Sequence, residues 1–170
     1  MYVSSLGYWD ARKRLSSSLY EFGDAPSVVG VLAFEILLKC VYRIELDQRP
    51  KFGHRYNDGW NELPEAIRES ILQNAKGRQG KFADFSDLDG VLVDLENAFV
   101  KARYSYEINE NLSDLEMTTK GRIWADADAP LDEADFRGRP TELSSLVFAL
   151  AQHIQKWLGL PEDDILRDLD

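Results

Sequence analysis

The sequence predicts an all-α protein, an up-and-down bundle of about five helices with a long acidic loop before the last helix. Three observations predict it. Apolar residues recur three and four apart in five segments, whereas the period-two alternation expected of strands is scarce. Those segments are bounded by helix-starting and helix-ending residues. At 170 residues, with 44% apolar and 29% charged content, the chain has the size and composition of one globular domain spanning residues 1–170.

The first helix is expected from about Val3 to Tyr20, with Tyr8, Leu15 and Phe22 at heptad spacing, Leu19 beside them, and Phe22-Gly23-Asp24 at its end. Asp24 caps the second helix, and Pro26 falls in its first turn, where a missing N–H costs nothing. This helix continues to about Asp47. Between Val28 and Leu46 it is apolar nearly all round, the pattern of a helix in the middle of a bundle. Glu35, Lys39, Arg43 and Glu45 within that stretch favour a core helix over a membrane span.

Gln48 to Gly59 holds Pro50, Gly53 and Gly59 and reads as a loop. Trp60 to Lys76 returns to helix, broken at Pro64, with Leu63, Ile67, Ile71 and Leu72 on one face; Gly77 to Gly80 interrupts again. Asp84 or Ser86 caps a fourth helix through about Tyr106, whose core face is Leu88, Val91, Leu92, Leu95, Ala98, Phe99 and Ala102. Residues 109–139 read as an acidic, irregular excursion with a short extended piece at Gly121 to Trp124. The last helix runs from about Thr141 to Leu158, with Leu143, Leu146, Val147, Leu150, Ile154, Trp157 and Leu158 on one stripe, and Gly159 and Pro161 end it.

Twenty Lys and Arg against thirty Asp and Glu give a net charge of −10, which disfavours broad electrostatic binding to duplex DNA. The charge is unevenly divided. Residues 1–81 carry twelve basic and ten acidic side chains, whereas residues 82–170 carry eight and twenty. A confined anion site in the first half therefore stays open, and the acidic half suits a basic partner. The lone Cys40 cannot form an internal disulfide and reads as a buried thiol in a reducing, cytoplasmic setting. Met1 to Leu15 has no apolar export signal, and no membrane association is expected.

Ordinary catalytic motifs are missing. The chain has no phosphate-binding glycine loop, dinucleotide fingerprint, serine elbow, Cys pair or spaced His pair, so neither a metal nor a cofactor is expected. Acidic runs at Asp126 with Asp128, and at Asp132, Glu133 and Asp135, lack Ca²⁺-loop spacing and read as solvated loop.

Glu35, Lys39 and Arg43, spaced four apart, form one line on an otherwise apolar helix. That line is either the solvent edge of the helix or a polar seam facing another helix and binding an anion. On the fourth helix, Val93, Val100 and Tyr104 gather opposite the core face, with Arg103 at the flank. This second apolar stripe is covered either by the acidic excursion or by another chain, and a homodimer is expected through it. His153 lies beside the stripe of the last helix and reads as a packed residue. His54 sits in a basic loop with Arg49, Lys51 and Arg55.

Three short motifs, in order, carry a family resemblance. Phe34-Glu35-Ile36-Leu37-Leu38-Lys39, then Gly53-His54 before Asn61-Glu62-Leu63-Pro64, then Phe99-Val100-Lys101-Ala102-Arg103-Tyr104 together resemble the HEPN domain superfamily over about residues 26–106. The resemblance implies a small helical bundle, often dimeric, of the kind found in prokaryotic toxin–antitoxin and defence systems and beside nucleotidyltransferases, so a nucleotidyltransferase-type partner protein is implied as well. Some members are metal-independent ribonucleases with an Arg followed a few residues later by a His on a helix at the dimer interface. Arg49 and His54 match that spacing. In such a mechanism His54 moves protons and Arg49 stabilises charge on phosphorus. Pro50 and Gly53, however, put this pair in a loop early in the chain.

The position of His54 also resembles the histidine before the third helix in the non-catalytic branch, and Arg103-Tyr104 resembles that branch's Arg-Tyr pair, with Ser105 where a proline is common. The implied function is binding of a nucleotide, RNA or a partner protein through Glu35, Lys39, His54, Arg103 and Tyr104. A metal-independent endoribonuclease using Arg49 and His54 is the alternative, and a helical protein with only an interaction role is the third reading.

Overall fold

The computed structural model describes residues 1–17, 25–79, 82–103, 110–127 and 137–161; of residues 79, 102, 103, 124 and 125 it describes the backbone alone. The described residues form an all-α structure of helices and connecting turns, with no strand among them. The helices are α1 (Tyr2–Ser16), α2 (Ala25–Leu46), α3 (Tyr56–Asn61), α4 (Glu65–Gln79), α5 (Leu88–Arg103), α6 (Asp114–Asp126) and α7 (Pro140–Leu158).

α2 is the hub. It packs most extensively against α1 and also against α7, α5 and α3, while α4 lies on α7. Its largely apolar circumference explains this: Val31, Ala33, Phe34, Leu37, Leu38, Cys40, Val41 and Tyr42 are all buried, so more than half of the cylinder meets a neighbour, and only the side with Leu32, Ile36, Lys39 and Arg43 is partly covered or open. By length and composition Ala25–Leu46 could also cross a membrane, yet most of it is buried within this bundle. Burial pushes the Cys40 thiol up, as a structural cysteine requires.

α7 supplies the opposite wall through Leu143, Leu146, Val147, Leu150 and Ile154. Its stripe ends one turn earlier than expected, because Trp157 and Leu158 are exposed. Gly159 adopts the left-handed conformation and closes the helix with hydrogen bonds from Gly159 N–H to Lys156 and Leu160 N–H to Gln155. α5 buries Val91, Leu92, Leu95, Ala98 and Phe99, with Leu88 partly covered. Its cap is Asp87, whose Oδ1 accepts the Gly90 N–H at 2.9 Å; Asp84 instead accepts from Ser86 in the preceding turn. Arg139 binds Asp94 through both Nε and Nη2 at 2.8 Å, which fixes the approach to α7 against α5.

Several expectations change. In α1 the buried aromatic residue is Trp9, not Tyr8, and the Arg12 guanidinium lies 4.5 Å above the Trp9 ring. A short helix, α3, begins inside the segment read as a loop. α4 runs through Gly77 to Gln79 without the expected interruption. The excursion over 109–139 contains α6, so Gly121 to Trp124 is helical, not extended. Ser113 and Glu116 form a reciprocal capping box at its start, with Ser113 N–H and hydroxyl donating to Glu116 at 2.8 and 2.7 Å. Leu19, Tyr20, Phe22, Asp24, Tyr104, Tyr106, Asp128, Asp132, Glu133 and Asp135 lie outside the described residues, as does the Ala102 side chain.

Candidate functional site

The polar seam on α2 is buried at one end and open at the other. Glu35 is 5% exposed, Lys39 is partly covered, and Arg43, a further turn on, is in solvent. A carboxylate this deep requires compensation. Lys39 Nζ donates to Glu35 Oε1 at 2.5 Å, and Oε2 accepts from His54 Nδ1 at 2.7 Å and from the Tyr56 hydroxyl at 2.9 Å. Burial works to raise the Glu35 carboxyl, but the bonds from Lys39 and His54, the Lys39 charge and the Tyr56 bond outweigh it and hold its pKa below the ordinary value. Glu35 is therefore a carboxylate at neutral pH.

The loop after α2 is shaped to bring His54 to this carboxylate. Asp47, at φ 49°, turns the chain out of α2. Phe52 then inserts back into the body, its ring edge-on to Tyr42 with centroids 5.5 Å apart and 5.7 Å from Lys39 Nζ. Gly53, at φ 62°, makes the tight turn that the Arg55 N–H to Phe52 carbonyl bond closes at 2.9 Å. Gly59 of α3 leaves room for Phe52; a Cβ there would lie 2.5 Å from the ring. Tyr42 donates to Glu62 just past α3, while the Tyr56 ring meets Phe34 edge-on at 5.2 Å. Both ends of α3 are thus tied to α2.

His54 completes the arrangement. Its side chain is 49% exposed, and its ring lies 4.9 Å from that of Phe99 on α5. Because Glu35 is ionised, Nδ1 is the proton-bearing nitrogen, and in the neutral ring Nε2 keeps its lone pair. Among the described residues nothing hydrogen-bonds that nitrogen. The imidazole is therefore oriented by a carboxylate on one edge and able to accept or return a proton on the other.

Arg103 ends α5 one turn after Phe99, on the same helix face by register, and Tyr104 lies outside the described residues. Arg49 is exposed on the loop and makes no hydrogen bond or ion pair among the described residues; the partner of His54 is Glu35. Val93 and Val100 are exposed. The packed His153 donates from Nε2 to Glu45 Oε1 at 2.8 Å, tying α7 to the last turn of α2.

Two residues of the site escape a sequence reading. Tyr56 was in a segment read as loop, although an aromatic two residues after His54 was visible there. Glu96 lies seven residues before Arg103, hence on the same line of α5, and its charge acts on Tyr56. Burial, then the charge and hydrogen bond of Glu35, then the charge of Glu96 raise the Tyr56 hydroxyl far above the ordinary tyrosine value. Among the described residues no group of three His, Cys, Asp or Glu side chains is placed to hold a metal ion. Comparison with known proteins finds no matching family model, no matching curated protein and no matching solved structure.

Proposed function

We propose that this chain is a HEPN-like helical domain that binds a nucleotide or an RNA end at His54, in a prokaryotic toxin–antitoxin or defence-type system. The observation that supports this reading is the Glu35 carboxylate that takes three hydrogen bonds and holds a half-exposed imidazole whose Nε2 has no hydrogen-bond partner among the described residues. Such a nitrogen accepts a hydrogen bond from a ribose hydroxyl when neutral and donates to a phosphate oxygen when protonated. Lys39 supplies positive charge within the site, and Arg103 places a second basic residue at the end of α5 beyond Phe99. Confined recognition of this kind is compatible with a net charge of −10.

Calorimetric titration with nucleoside monophosphates and short RNAs tests the reading. Binding weakened about tenfold or more by His54→Ala and by Arg103→Ala is the expected result. Absence of binding to any of them would leave only an interaction role.

The same carboxylate–imidazole pair favours a second reading, metal-independent RNA cleavage in which His54 moves the proton and Glu35 orients it. RNA cleavage that persists in EDTA and disappears in His54→Ala would establish that activity. A nucleotidyltransferase-type protein remains the proposed partner in this setting.

A further inference from the structure

Arg12 on α1 is a half-buried cation without a counter-charge. Arg14, Arg55 and Arg139 each meet a carboxylate, Asp10 at 2.8 Å, Asp58 at 3.1 Å and Asp94 at 2.8 Å. The Arg12 guanidinium has no hydrogen bond and no ion pair among the described residues. Its Nε is closed off from water and unbonded, while its two Nη groups reach the surface. Burial lowers the guanidinium from its ordinary value, and no acidic neighbour offsets that effect.

The fold holds this side chain in place. The guanidinium lies 4.5 Å above the ring of Trp9, itself 2% exposed. A Cβ on Gly30 of α2 would lie 2.6 Å from Arg12 Cδ, 2.9 Å from Nε and 3.2 Å from Leu143 Cδ2 of α7. Arg12 therefore fills the space beside Gly30 where α1, α2 and α7 meet. Neither neighbouring helix start brings it a carboxylate: the first turn of α2 has no acidic residue, and Glu142 of α7 accepts the Asp84 N–H. Gly30 precedes Glu35 by five residues, about 140° around α2, so this place is on a different side of the helix from the His54 site. A fixed planar fork with two outward nitrogens is the geometry that takes two oxygens of one anion.

We propose that Arg12 is a binding site for an oxyanion, a phosphate or carboxylate group whose two oxygens meet its two Nη groups. The bound anion supplies the missing counter-charge at the junction of α1, α2 and α7. It does not depend on the ligand proposed for His54.

Titration with inorganic phosphate and with acetate, at neutral pH and constant ionic strength, tests it. The readouts are urea unfolding and the ¹H–¹⁵N signal of Arg12 Nε–H, assigned by its loss in Arg12→Met. At least one anion should move that signal saturably, and at ten times its dissociation constant it should lower the unfolding constant about elevenfold. The tighter of the two identifies the group. Arg12→Met keeps an apolar stem beside Gly30 and should fold without the saturable stabilisation. Gly30→Ala keeps the charge but displaces it, and should weaken binding about tenfold or more. His54→Ala should leave the Arg12 response unchanged. A signal that saturates with neither anion, equal stabilisation of the wild type and Arg12→Met, or loss of the response in His54→Ala would overturn the proposal.

Discussion

His54 Nδ1 lies 2.7 Å from Oε2 of Glu35, a carboxylate that α2 keeps almost wholly out of water. Nineteen positions separate the two residues in sequence, so the contact joins the loop to the central helix. It also determines which edge of the imidazole faces outward. The position of the ring, the charge of the carboxylate and the shape of the loop therefore stand or fall together.

Glu35 should control the acid limb of stability. Its pKa is lowered in the folded chain, so its contribution is present above the ordinary glutamate value and is lost as pH falls through the folded value. Urea unfolding below the ordinary value near 4.5 should show that loss in the wild type. Glu35→Gln should flatten the limb and cost about 1–3 kcal/mol at neutral pH, because Lys39 and His54 lose their charged acceptor.

Tyr56 should control the alkaline limb. Its hydroxyl is raised by burial and by Glu35, so its contribution is present below the ordinary tyrosine value and declines as pH rises above it. Absorbance titration of phenolate should find Tyr56 un-ionised until the protein unfolds. Tyr56→Phe keeps the edge-on contact with Phe34, removes one donor to Glu35, and should cost about 1 kcal/mol at neutral pH.

Gly59→Ala should damage the site without touching it. The added Cβ meets the Phe52 ring at 2.5 Å, and Phe52 is the anchor of the loop that carries His54. A loss of about 1–3 kcal/mol in denaturant unfolding is expected, together with faster amide exchange over residues 50–55. Gly77→Ala, where nothing lies within 4 Å, is the matched control and should not destabilise.

What the sequence revealed and concealed has a physical basis. α2, α5 and α7 bury one face or more of their surface, and burial is what imprints an apolar period of three to four residues. α6 belongs to none of the closely packed helix pairs among the described residues, so no stripe facing the bundle is imprinted on it, and only Ser113-x-x-Glu116 marks its start. α3 is six residues long and is held by Tyr56 to Glu35 and Tyr42 to Glu62, contacts that no local pattern encodes.

The site divides in the same way. Glu35 and Lys39 were visible as charges interrupting an apolar helix, and His54 as a histidine in a basic loop. That they meet, and that Tyr56 and Glu96 join them, follows only from the packing of α3 and α5 on α2. Arg49 matches a spacing to His54 in sequence, whereas the hydrogen-bond partner of His54 is Glu35, a residue from the preceding helix.

The most direct test of this account is the ¹⁵N spectrum of the two imidazoles, recorded above the pH at which both rings have lost their second proton. His54 donates from Nδ1 to Glu35, whereas His153 donates from Nε2 to Glu45, so the two rings should be opposite neutral tautomers. The bare Nε2 of His54 should shift when a nucleoside monophosphate or a short RNA is added, while His153 stays unchanged. A His54 ring protonated at Nε2, or a bare Nε2 indifferent to every such ligand, would contradict the account.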